Sequence, residues 1–201
     1  MGAGWMDLED QYAFYGAYHS NKVNVLIHTL LVWPIIFTVI ALAAYTPALG
    51  SLPLRDDSLP LQQYMVLNCS FVISAFYALY YTAIDQKAGI LAGAMCMLCW
   101  VGGNAFAQST EFSFGWKIVI IAQIICWTGQ FIGHGIYERR APAFCDNFFQ
   151  AFLTGPYFVL LKVLHSAFGY EPYPGFWNNV SVKLSANLVQ YHSSKRTSKS
   201  S

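Results

Sequence analysis

A chain of 201 residues that is 56% hydrophobic and only 10% charged departs from the soluble norm of roughly 45–50% and about 25%, so water is not its main solvent. A formal net charge of +1 leaves no basic face for a nucleic acid or another polyanion, and that class of partner is excluded. The length suits a single membrane-embedded domain, predicted over residues 1–175, followed by a polar tail over 176–201.

Asp7, Glu9 and Asp10 stand where a secretory signal would be basic, so the first apolar run is expected to do the targeting itself. A helix needs about 20 apolar residues to cross the hydrocarbon core. Four runs meet that need, at about Val23–Tyr45, Tyr64–Ile84, Gly89–Phe106 and Trp116–Tyr137. Between the first two, Thr46 to Leu61 carries Pro47, Gly50, Pro53, Pro60 and the charged group Arg55, Asp56 and Asp57, and reads as a loop. Asp85, Gln86 and Lys87 allow only a chain reversal. The segment Phe144–Phe168 is broken by Asp146, Asn147, Gln150, Gly155, Pro156 and Lys162, and is expected to be a helix pair lying in or re-entering the interface. Beyond Pro174 the serine- and lysine-rich end is expected to be disordered. The predicted fold is all-α, an integral membrane bundle of about four transmembrane helices plus that interfacial or re-entrant segment.

With four spans, both termini and the Asp85–Lys87 turn share a face. That face carries nine of the 11 basic residues (Lys22, Lys87, Arg139, Arg140, Lys162, Lys183, Lys195, Arg196 and Lys199) against Arg55 and Lys117, which makes the termini cytoplasmic. Cys69, Cys96, Cys99, Cys126 and Cys145 lie in or beside apolar stretches and read as packing residues, not as a disulfide framework. Gly89-x-x-x-Gly93 and Gly129-x-x-x-Gly133 allow close helix packing. The tryptophans Trp5, Trp33, Trp116 and Trp177 read as an interfacial belt.

Ionisable groups are costly in a membrane, so their positions carry information. His19 precedes the first span, and Asn24 and His28, four apart, share its first turns. Gln130, His134 and Glu138 form a stripe at the end of the fourth. In a four-span bundle those two ends lie at one membrane face, where the stripes can converge. Imidazoles with amide or carboxylate support suit a divalent transition metal. The competing reading is a non-catalytic scaffold or lipid-binding protein whose histidines meet headgroups; a small transporter fits less well, since no inverted repeat places polar groups at mid-span. His165 and His192 read as solvated surface residues.

The segments Phe14-Tyr15-Gly16-Ala17-Tyr18-His19 through Asn24 and His28, Trp33-Pro34, Trp127 through His134, and Glu138-Arg139-Arg140-Ala141-Pro142-Ala143 resemble the Fe(II)-dependent 2-hydroxy fatty acid dioxygenases of the endoplasmic reticulum. The likeness continues through Asp146-Asn147, Gln150, Gly155-Pro156 and Phe158-Val159. It implies cleavage of 2-hydroxy fatty acids by alpha-oxidation with molecular oxygen, giving an acid one carbon shorter, in phytosphingosine breakdown. It further implies His19, His28 and His134 as iron ligands, with Glu138, Asn24 and Tyr15 supporting the ligands or orienting substrate. It also implies a multi-pass protein of the endoplasmic reticulum membrane in contact with lipid. Lys162 stands where the family pattern leads one to expect a glutamate.

Overall fold

The computed structural model describes residues 7–50, 61–142 and 147–200, with 149, 150 and everything from 190 onward described by backbone alone. The group Arg55, Asp56 and Asp57, together with Trp5, Cys145 and Asp146, lies outside the described residues. Among the described residues seven α-helices follow one another: α1 (Leu8–Gly16), α2 (Lys22–Ala43), α3 (Cys69–Ile84), α4 (Gln86–Ser109), α5 (Phe112–Ile132), α6 (Phe148–Phe168) and α7 (Phe176–Ser200). A 3-10 turn, Gln62–Tyr64, precedes α3, and α5 passes directly into a π turn, Gly133–Glu138. The chain is an all-α membrane bundle in which Lys22–Ala43, Gln86–Ser109, Phe112–Glu138 and Ala151–Phe168 are long and apolar enough to cross a bilayer. It divides into two compact units, Thr29–Gln130 on the one hand and Met1–His28 with Phe131–Ser201 on the other.

The unit Thr29–Gln130 is organised by amides buried among apolar helices. Asn68 begins α3, its Oδ1 accepting the Phe71 N–H at 3.4 Å. This cap starts the helix later than the apolar run suggests, so α3 has 16 residues rather than a full span. The Asn68 amide donates to the Ala44 carbonyl at 3.1 Å and to Asn104 Oδ1 at 2.8 Å, while Asn104 donates to Ser70 Oγ at 3.3 Å. Every member has a partner, which is what makes polar groups tolerable there. Asp85 both ends α3 and caps α4, its carboxylate accepting the Lys87 N–H at 3.0 Å, so the chain reverses as expected. Gly89 and Gly93 serve the approach of α4 to α3: a Cβ on Gly89 would run into the Tyr81 carbonyl, and one on Gly93 would stand 3.2 Å from Ala78 Cα.

The other unit departs from expectation in two places. Residues 148–168, expected as part of a helix pair, form one helix of 21 residues with Pro156 inside it. A proline removes a single backbone donor, and the apolar run around Tyr157, Phe158 and Leu161, all fully buried, packs well enough to hold the helix together. Residues 176–200, expected as a disordered tail, form α7. Phe176 and Val180 are buried, and Leu184 and Leu188 pack against Ala17 and Tyr18 at the end of α1, so one residue per turn makes an apolar stripe. Trp177, expected in an interfacial belt, instead packs edge-on to Tyr12 at 5.1 Å and beside His165 at 4.1 Å.

Polar contacts tie the same two helices together. Lys183 of α7 pairs with Glu9 at 3.0 Å and Asp10 at 2.5 Å, while Tyr173 and Asn179 donate to Glu9 Oε1 at 2.7 and 2.8 Å. Hydrogen bonds from Asn179, Tyr173 and Lys183 lower the Glu9 carboxyl to about 2. A carboxylate depressed in the folded state contributes stability above its unfolded value and loses it as pH falls toward the folded one. The α1–α7 contact is therefore expected to loosen between about pH 4.5 and about 2. Glu9 is half-buried at the surface and partly screened by solvent, so the effect is modest. Amide hydrogen exchange along 176–189 should report it, and Glu9→Gln should flatten that pH response.

Candidate metal centre

His19 follows directly on the last turn of α1, where Ala17 is the C-cap, and its backbone N–H donates to the Gly16 carbonyl at 3.1 Å. Asn21 opens α2, its side-chain oxygen accepting the Val23 N–H at 2.8 Å, and the new helix places Asn24 and His28 one turn apart on one face. His134 comes from the far end of the chain, in the π turn that closes α5. Arg139, at φ +54°, ends that turn in the left-handed region and returns its N–H to the His134 carbonyl. π turns re-aim side chains that a regular helix would space otherwise, and they recur at functional sites.

The three imidazoles meet. Ring centroids are 4.4 Å apart for His19 and His28, 5.0 Å for His19 and His134, and 4.8 Å for His28 and His134. One ligating nitrogen from each lies within 4.8 Å of the others, and the rings of His28 and His134 are buried. His19 Nδ1 donates to the Tyr15 carbonyl at 2.7 Å, and His28 Nδ1 donates to the Asn24 carbonyl at 2.9 Å. Those bonds assign the proton to Nδ1 and leave the Nε2 lone pairs of both rings aimed inward, the second-sphere arrangement that orients metal-bound histidines. His19 Nε2 is buried without a hydrogen-bond partner, and His28 Nε2 faces His134 Nε2 at 3.2 Å. Burial holds the His19 imidazole well below its ordinary range, so it stands neutral with the lone pair available. Inward-facing lone pairs with an orphaned buried nitrogen among them fit a divalent cation.

The residues expected to support the histidines divide by role. Tyr15 lends its carbonyl to His19 and stacks its ring on the imidazole at 3.9 Å with a 16° interplanar angle. Tyr15 is itself wedged against Phe158 of α6 at 5.4 Å. Fully buried Asn24 lends its carbonyl to His28, while its amide donates to the Tyr18 carbonyl at 3.2 Å and to Glu138 Oε2 at 3.1 Å. Glu138 also accepts the N–H groups of Ser20 and Asn21, each at 2.9 Å. Gly133 matters for space: a Cβ there would strike the Asn24 side-chain oxygen. Gln130, expected on the stripe of His134 and Glu138, belongs to the unit Thr29–Gln130. Lys162 is half-buried on α6, one helical turn beyond Phe158.

Sequence reasoning missed the backbone groups of Ser20, Asn21 and Tyr18, as well as the side chain of Arg140. Main-chain donors and acceptors carry no side-chain signature. Only the Asn21 cap, an asparagine just before an apolar run, was open to detection.

Residues 5–167 match the model of the family described as 2-hydroxy-palmitic acid dioxygenase Mpo1-like. The 2-hydroxy-palmitic acid dioxygenase MPO1 of Saccharomyces cerevisiae is 30% identical over 164 residues, covering 82% of this chain and 83% of the yeast protein. No solved structure matches.

Proposed function

Because the chain belongs to the Mpo1-like dioxygenase family, we propose that it is a non-haem Fe(II) enzyme cleaving 2-hydroxy fatty acids to acids one carbon shorter. The observation that carries this reading is the trio His19, His28 and His134, two of whose rings have their outer nitrogens tied to carbonyls. These three would hold the metal. Fe(II) bound there supplies the redox chemistry and the coordination positions that oxygen activation needs.

The chain's own residues do the rest. Three neutral imidazoles bring no negative charge, so they favour an anionic substrate, and a 2-hydroxy carboxylate offers two oxygens to a divalent ion. Tyr15 holds the His19 ring by stacking and through its carbonyl, Asn24 fixes the tautomer of His28, and Glu138 holds the loop that carries His19. The apolar helix surface around the bundle suits the alkyl chain of such an acid. We also read the protein as a resident of the endoplasmic reticulum membrane acting in phytosphingosine breakdown, with cytoplasmic termini favoured by the distribution of lysine and arginine.

Aerobic incubation of purified protein with 2-hydroxyhexadecanoic acid should give the acid one carbon shorter when Fe(II) is present. A chelator should stop it. Chain shortening that survives metal removal would overturn the iron assignment, and a metal-loaded protein inert toward 2-hydroxy acids would overturn the substrate class. A scaffold, the competing reading, should retain no stoichiometric metal.

A further inference from the structure

The loop that carries His19 sits between two helices that lack the charges their ends call for. The nine-residue α1 has no basic residue in its last turn, and α2 has no acidic residue in its first. Helix ends expose unpaired carbonyls at the C-terminus and unpaired N–H groups at the N-terminus, and they favour a cation and an anion respectively. Both charges arrive from one short stretch more than a hundred residues away, immediately after His134. Glu138 meets the N–H groups of Ser20 and Asn21 at the start of α2. Arg140 meets the end of α1: its Nη1 donates to the Ala17 carbonyl at 2.7 Å, and its guanidinium lies 3.6 Å above the Tyr18 ring.

From this we infer that Arg140 is a positioning residue for His19, acting as a C-terminal cap of α1 supplied from a distant part of the same chain. The inference rests on the metal reading of the histidine trio. The chain of contacts is short. Ala17 and Tyr18 are both buried, His19 follows directly, and the Tyr18 carbonyl holds the Asn24 amide. The Arg140 N–H also returns to the His134 carbonyl at 3.2 Å. One residue therefore ties the backbone that presents His134 to the backbone that presents His19, while Glu138 grips the same loop from its other end. A planar guanidinium is suited to this task, since it can donate to a carbonyl in its own plane while its face covers an aromatic ring. Lysine keeps the charge but not the stack.

The test uses the full chain in detergent, with Co(II) as a spectroscopic probe. R140Q should weaken Co(II) binding by about tenfold, the lower range for losing a group that orients a ligand. Amide exchange at residues 17–21 should rise, while helix content and melting temperature stay close to those of the parent. R140K should recover part of the affinity, leaving a deficit of about threefold. R140Q protein that binds Co(II) as tightly as the parent, while His28→Ala protein does not bind it, overturns the positioning role and leaves the metal reading intact. Equal losses in R140Q and R140K, accompanied by lost helix content, also overturn it, because they mark a general folding defect. Parent protein that takes up no Co(II) removes the metal reading and the positioning role with it.

Discussion

Replacing His28 with alanine is expected to abolish both stoichiometric metal binding and turnover. The His28 ring is buried, and its Nδ1 is committed to the Asn24 carbonyl at 2.9 Å, so Nε2 is the nitrogen left to meet a metal. That nitrogen faces His134 Nε2 at 3.2 Å, and the ring lies 4.4 Å from that of His19. Alanine leaves two imidazoles where three converged. Losing a group that only orients a ligand typically costs 10–100-fold in metal affinity, so losing a ligand should cost more than about 100-fold. Turnover of 2-hydroxyhexadecanoic acid should fall at least as far. Mass-spectrometric metal content together with product formation checks both. His28→Ala protein that keeps one metal per chain would remove His28 from the ligand set.

Glu138→Ala should produce the second largest effect, on stability as well as on metal affinity. The glutamate gives one oxygen to Ser20 N–H and the other to Asn21 N–H and the Asn24 amide, so alanine leaves three donors unanswered. Loss of an N-terminal helix cap costs about 0.5–2 kcal/mol. For a chain of this size about 1 kcal/mol corresponds to a melting shift of roughly 2–4 °C. Because the freed loop carries His19, metal affinity should fall by about 10–100-fold. Glu138→Gln keeps one acceptor oxygen and should land between the two. Amide exchange at residues 20 and 21 separates this role from direct ligation. If Glu138 were itself a ligand, Glu138→Ala would lose metal as completely as His28→Ala while those two amides stayed protected.

The two substitutions probe different layers of one arrangement, and the layers were unequally legible beforehand. His19, Asn24 and His28 announce themselves because polar residues at a spacing of four beside an apolar run share one helix face. His134 and Glu138 do the same at the end of another run. Their meeting is expected when Tyr64–Ile84 is counted as a full span, whereas α3 has 16 residues and the meeting itself is seen only in the structure. Glu138 reads in sequence as one more polar side chain on a stripe; its actual partners are two backbone N–H groups of Ser20 and Asn21, which no residue pattern encodes.

Two segments differ from the sequence expectation for the same kind of reason. The polar residues and Pro156 within 148–168 predict a broken segment, yet burial of Tyr157, Phe158 and Leu161 sustains a single helix. The serine and lysine content of residues 176–200 predicts a disordered tail. Within that composition Phe176, Val180, Leu184 and Leu188 recur once per turn, and the face they form meets α1 through Tyr12, Ala17 and Tyr18.

The sequence by itself determined that the chain is a helical membrane protein and which three histidines could hold a metal. Apolar run length answers to the thickness of the bilayer, and the cost of burying ionisable groups makes their positions informative. Only the tertiary structure decided the tautomers of His19 and His28, the grip of Glu138 and Arg140 on the loop between α1 and α2, and the folding of α7. Those depend on carbonyls, N–H groups and packing faces brought together across more than a hundred residues, and their energies exist only once the partners are in place.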